Sequence, residues 1–136
     1  MSQQNVEVVR RGYEAYNAGD LAALRDGLHP RITMYHLEGW PEPGPSIGPD
    51  AVMREYEQLR EAWRGEDSVE HGELIEAGDH VLSKDVWHGS GSGPDAVMEF
   101  TTIYTFLEGK IITVRRFWNH DEALEAVGLT RRRVAE

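Results

Sequence analysis

The chain of 136 residues contains no cysteine. Disulfides and thiolate chemistry are therefore excluded, and a reducing compartment fits. No stretch is apolar for long enough to span a bilayer, and no N-terminal apolar run of signal type is present, so a soluble, cytoplasmic protein is expected. Basic residues are scarce: 14 Lys plus Arg stand against 24 Asp plus Glu, a formal charge of -10. Nucleic-acid binding rests on neutralising phosphates, and anionic membranes attract basic surfaces, so both partners are unexpected. The one basic run, Arg131-Arg132-Arg133, reads as a solvated tail. A chain of this length buries roughly two-thirds of its unfolded surface and needs no staple. One domain over 1–136 is expected, with its core at about 3–129 and a tail at 130–136.

What is present is ordered in a legible way. Val6, Val9, Tyr13 and Tyr16 recur at helical spacing, Gly19 stops that helix and Asp20 caps a second, short one. Leu21, Leu24 and Leu28 share a face of the second helix, with Pro30 ending it. Residues 31–37 are rich in β-formers and read as a strand. The stretch Trp40-Pro41-Glu42-Pro43-Gly44-Pro45 cannot be regular structure and reads as a stiff, ordered loop. Pro49 and Asp50 open a third helix with an apolar stripe of Val52, Tyr56, Leu59 and Trp63. Strands are predicted at 69–77, 81–88, 97–107 and 111–118, separated by Gly78-Asp79, a Gly-Ser-rich connection at 89–95 and the turn Glu108-Gly109-Lys110. Asn119 and Glu122 stand in capping-box spacing before a last helix. Consecutive strands with short turns imply an α+β fold with a mainly antiparallel sheet.

The helix end Tyr16-Asn17-Ala18-Gly19-Asp20, the loop at 39–45, the helix start Gly48-Pro49-Asp50-Ala51-Val52, the turn Glu108-Gly109-Lys110-Ile111 and the ending 122–129 together resemble the SnoaL-like group of the nuclear transport factor 2-like superfamily, over about residues 3–129. That resemblance implies a conical, cystatin-like α+β barrel: a curved, mainly antiparallel sheet packed on three N-terminal helices, with a short C-terminal helix. It implies a small-molecule pocket between sheet and helices, and often a homodimer through the outer face of the sheet, here carrying Ile103, Ile111 and Phe117. It does not imply one activity, because the superfamily hosts ketosteroid isomerases, polyketide cyclases, epoxide hydrolases, dehydratases and non-catalytic binding domains.

Alternation on the last strand does not choose its inward face; the resemblance places Arg116 and Trp118 inside, with Thr102, Tyr104, Ser83, Asp85 and Trp87 from neighbouring strands and His36 near the end of the first. His36 stands where ketosteroid isomerases carry their general base, and Gly12 and Thr102 stand at their two oxyanion-hole places, so that activity is not expected. His36, Asp85 and Arg116 are the candidate catalytic residues. An imidazole titrates near neutral pH, a carboxylate fixes its tautomer, and a guanidinium binds substrate oxygen. His36 and Asp85 are expected to meet inside the cone. Tyr16, Trp40, Tyr56, Trp63, Trp87, Thr102, Tyr104, Trp118 and His120 are the candidate substrate-binding residues. The plainer reading stays open: Asp85 and Arg116 pair with each other, and the aromatic stripes are core. His29, His71, His80 and His88 are expected at the surface. No metal-ligand spacing, phosphate loop or nucleophile elbow occurs, so neither metal nor cofactor is indicated. The expectation is a cofactor-independent acid/base enzyme of isomerase, cyclase, dehydratase or hydrolase type, or else a non-catalytic binding domain of the same fold.

Overall fold

The structure is a computed structural model that describes residues 2–40, 44–90 and 95–129. Pro41 and Pro43 of the stiff loop, most of the Gly-Ser-rich connection and the basic run at 131–133 lie outside the described residues.

The first helix, α1 (Ser2–Ala18), buries Val9, Tyr13 and Tyr16 and turns Arg10, Arg11 and Glu14 outward. Gly19 ends it at φ +77°, a conformation that costs a residue without Cβ little. Asp20 then caps α2 (Leu21–Asp26), accepting from the Ala23 N–H at 3.2 Å. The helix is shorter than its leucine spacing predicts. Leu28 is already the first residue of β1 (Leu28–Met34) and pairs with Ile111, while the Ile111 N–H donates to the Gly27 carbonyl at 2.9 Å. Pairing with a distant strand thus outweighs one more helical turn. Pro30 lies inside β1, within a register shift between Leu28 and Thr33 where its missing N–H is tolerated. The strand also ends three residues early, so His36 and Leu37 lie just beyond it.

A two-residue strand that sequence reading missed, β2 (Ser46–Ile47), pairs with β1 ahead of α3 (Pro49–Ala62). Four long strands follow: β3 (Asp67–Ala77), β4 (His80–Gly89), β5 (Ala96–Leu107) and β6 (Lys110–Phe117). They form one six-stranded sheet in the order β2-β1-β6-β5-β4-β3, antiparallel except where β1 meets β6. The sheet curves without closing, leaving β2 and β3 as edges. The last helix, α4 (His120–Ala126), is capped by Asn119, whose side chain accepts from the Glu122 N–H at 3.1 Å.

Two cores lie on opposite faces. The larger holds Val9, Tyr13, Ile32, Met34, Val52 and Val114 between the concave face and the helices. The smaller holds Leu82, Ile103, Ala123 and Leu124, with Phe117 packed against it, on the outer face beneath α4. Ile103 and Phe117, expected on an open outer face, are therefore covered by the chain's own last helix. Ile111 is inside: Thr105 pairs with Thr113 but Phe106 pairs with Ile111, so Ile112 is an extra residue and the alternation of β6 switches there. Among the described residues no helix is long and apolar enough to cross a membrane.

Candidate functional site

A cavity of about 120 Å³ lies between the concave sheet face and α1, α2 and α3. Strand register orders its walls. At one end Leu28 and Ile111 stand side by side, with Val8, Val9 and Leu24 over them; Met34 and Val114 pair in the middle; Arg116 stands beyond, paired with Thr102. His36, Trp40, Glu55, Tyr56 and Asp85 also line the cavity. Its surface is apolar at one end and polar at the other.

Asp85, on β4, is 1% exposed, and among the described residues it is held by hydroxyls alone. The Tyr13 O–H reaches both carboxylate oxygens, at 2.8 and 2.7 Å, Ser83 donates to one and Thr102 donates to the other at 2.8 Å. The Tyr104 O–H donates in turn to the Tyr13 oxygen at 2.8 Å. Burial pushes the Asp85 pKa above the ordinary carboxylate value, against the lowering pull of those hydroxyls and of the Arg116 charge. Burial likewise raises the phenols of Tyr13 and Tyr104; Tyr104 and Asp85 raise Tyr13 further, and Asp85 raises Tyr104 further. Three hydroxyl donors converging on two oxygens is an arrangement made for an ionised carboxylate.

His36 finds a different carboxylate. Its Nε2 lies 3.1 Å from Glu55 Oε1, with the two side chains 10% and 16% exposed. The same Glu55 oxygen accepts from the Ser46 hydroxyl at 3.3 Å. The His36–Glu55 approach is close but not aligned as a hydrogen bond, and both buried ring nitrogens lack a hydrogen-bond partner among the described residues. The ring is tilted against Trp40, 6.3 Å between centroids. Arg116 donates to the Tyr56 phenol at 3.1 Å, and its guanidinium lies 6.0 Å from that ring's centroid. Burial alone would lower its pKa, but the neighbouring phenols of Tyr56 and Tyr104 outweigh this, and it stays charged.

A second buried carboxylate braces the aromatic wall. Asp67, at the start of β3, accepts from the Tyr16 O–H and, at 3.1 Å, from the Trp87 indole N–H. Arg60 Nη1 lies 3.5 Å from its other oxygen. Burial, followed by the bond to Asp67, drives the Tyr16 phenol well above its ordinary pKa.

The structure thus brings eight of the sequence-predicted residues to one cavity: His36, Asp85, Arg116, Tyr16, Trp40, Tyr56, Trp87 and Tyr104. It does not bring His36 to Asp85. Glu55 on α3 stands against the imidazole, while Asp85 is engaged by its hydroxyls. Nor do Asp85 and Arg116 pair in contact: among the described residues no carboxylate lies within 4.0 Å of Arg116. Four predicted binding residues stand away from the cavity. Trp63 packs edge-on to Trp87 at 5.1 Å, behind it, and Thr102 supports Asp85 from within the sheet. Trp118 is 49% exposed, and its indole N–H donates to the Glu38 carbonyl at 2.9 Å. His120 meets Thr101 at 2.9 Å on the outer face, because α4 crosses to that side. His29, expected at the surface, is buried, with Nδ1 accepting from the Arg31 N–H at 3.0 Å.

Glu55 was missed, although its position carried a signal. It falls three residues after Val52 and one before Tyr56, inside the apolar stripe of α3, where a carboxylate is out of place unless it has a partner. Asp67 and Ser46 carry no comparable signal. Among the described residues no three His, Asp or Glu stand close enough to hold a metal ion.

The sequence of residues 9–114 matches the SnoaL-like domain family, and the chain belongs to that family. Its fold recurs in solved structures of low sequence identity. Bal32a, from a soil-derived mobile gene cassette, superposes with a TM-score of 0.78 at 22% identity, over 85% of this chain and 88% of its own. RV0760c from Mycobacterium tuberculosis, in complex with estradiol-17β-hemisuccinate, gives 0.75 at 17% identity, over 87% and 95%. SalBIII, an epoxide hydrolase/cyclase-like enzyme with a role in pyran ring formation in the polyether salinomycin, gives 0.73 at 22% identity, over 87% and 92%. No curated protein sequence matches the chain.

Proposed function

We propose that this protein binds a small, largely apolar, oxygen-bearing compound in the concave cavity and moves a proton on it without a cofactor, as an isomerase, cyclase, dehydratase or hydrolase does. The observation that carries the reading is His36: a buried imidazole on the cavity wall, with a carboxylate against one nitrogen and, among the described residues, no hydrogen-bond partner at the other. The negative Glu55 carboxylate against Nε2 favours the proton on that nitrogen and the lone pair on Nδ1. His36 takes a proton from the substrate, becoming an imidazolium beside Glu55, and returns it to another substrate atom. Arg116 and Tyr56 supply donors for the substrate oxygen on which negative charge develops. The Tyr104–Tyr13–Asp85 chain keeps the phenols oriented, and the aliphatic end takes the apolar body. The names of SalBIII and of the estradiol-hemisuccinate complex of RV0760c lend support from the same fold.

Proton transfer leaves an isotopic trace, which provides the test. Cyclic ketones and lactones are incubated with the protein in D2O and followed by mass spectrometry. Wild type is expected to speed deuterium uptake into at least one of them, and His36→Ala to lower the rate by about 10²–10⁴-fold, the usual contribution of a positioned acid or base. Equal exchange in both proteins removes His36 from the mechanism and leaves the reading of a non-catalytic binding domain.

We also propose a homodimer. The outer face keeps a groove lined by Ile75, Val86 and Trp118 together with the charged Glu70, Glu73, Lys84 and Glu99, and this mixed surface is the one offered to a two-fold related copy. Light scattering at micromolar concentration should report twice the chain mass; a monomer alone would count against it.

A further inference from the structure

We infer that the occupant of the cavity is a small organic acid, its anionic head on the Arg116 guanidinium and its apolar body lying toward Leu28 and Ile111. This deepens the proposed function and rests on the cavity being a ligand pocket.

Four ionisable side chains line the polar end, and three of them have their complement. Glu55 and His36 have each other, with Ser46 behind Glu55. Asp85 has the hydroxyls of Tyr13, Ser83 and Thr102. Among the described residues Arg116 has one hydrogen bond, to the neutral phenol of Tyr56, and no carboxylate in contact. A guanidinium carries five N–H donors in a rigid fork, so most of its donors have no acceptor among the described residues. The Asp85 charge reaches it only at longer range. A half-buried cation of this kind favours an anion with two coplanar oxygens, which a carboxylate supplies and a lone carbonyl does not.

The remaining wall gives the ligand its direction. Along β6 the inward residues run Ile111, Val114, Arg116, opposite Phe106 to Thr102 on β5, so the aliphatic end lies roughly 13 Å along the strand from the charge. A compound with one ring and an acid on a short spacer matches that gradient. A ligand charged at both ends, or without charge, does not.

The test measures binding of trans-cinnamate and of cinnamamide, its neutral isostere, to the full-length protein by titration calorimetry at pH 7.5. Wild type should prefer the acid at least tenfold. Arg116→Gln should reduce that preference to within twofold, with circular dichroism reporting the fold. Should that variant fail to fold, Arg116→Lys, which keeps the charge and loses the fork, should cut the preference several-fold. An amide that binds as well as the acid, a preference unchanged by either substitution, or no cinnamate binding at millimolar concentration overturns the inference. His36→Ala should keep the acid preference. A preference without His36-dependent deuterium exchange therefore retires the catalytic reading alone, and exchange without the preference retires this inference alone.

Discussion

At the scale of single residues, the unusual group is Asp85, a carboxylate 1% exposed whose contact donors among the described residues are all hydroxyls. Burial raises its pKa above the ordinary 3.8, so the folded chain holds this proton more tightly than the unfolded chain does. The linked stability is fully present below the unfolded value and is lost as pH rises through the folded one. Asp85→Asn keeps the shape and removes the titration. The stability of wild type relative to this variant should therefore fall as pH rises from below 3.8 toward 7, the other groups cancelling in the comparison. Urea unfolding of both proteins across that range measures the difference. A difference that stays flat or grows in favour of wild type with pH would show that the hydroxyls, not desolvation, control the group.

At the scale of elements, the aromatic wall depends on a glycine at the end of β4. A Cβ on Gly89 would meet the Trp63 ring at 2.9 Å and press on the Trp87 ring as well. These two indoles pack edge-on, and Trp87 is tied to Asp67, so neither ring is free to move aside. Gly89→Ala should destabilise the protein by about 1–3 kcal/mol, the usual cost of overpacking. It should also alter the near-UV circular dichroism, because the indole pair must separate. Unchanged stability together with an unchanged spectrum would mean that α3 and β4 part without cost, and that the wall is softer than its contacts imply.

At the scale of the whole molecule, charge is the dominant feature. The formal charge of -10 is spread over a small domain. The cation–carboxylate contacts of the described residues that involve Arg are few, and most are exposed. Self-repulsion then works against the compact state. Raising sodium chloride from 10 to 150 mM shortens the screening length from about 30 to about 8 Å. The melting midpoint should rise by about 2 °C or more, the size of shift that a fraction of a kcal/mol produces in such a domain. A midpoint that falls with salt would show instead that specific ion pairs outweigh the net repulsion.

The sequence by itself determined what nearest neighbours along the chain decide. The α1 stripe of Val9, Tyr13 and Tyr16, the Gly19-Asp20 junction, the Pro49 helix start, the Glu108-Gly109 turn and the Asn119 cap each depend on a few adjacent residues, and each stands as read. The family, and with it the inward placement of His36, Asp85 and Arg116, was legible because those local signals fall in a particular order. Only the tertiary structure decided the rest. Leu28 left its helix because a strand more than eighty residues away in sequence offered it a ladder. The extra residue Ile112 reversed the faces of β6, so strict alternation misplaced Ile111. Asp85 gathers a tyrosine 72 residues away and a threonine 17 away, while His36 is left to Glu55. Which carboxylate meets an imidazole depends on how a helix is set over a curved sheet, through packing summed over distant residues, and no spacing within one element encodes it.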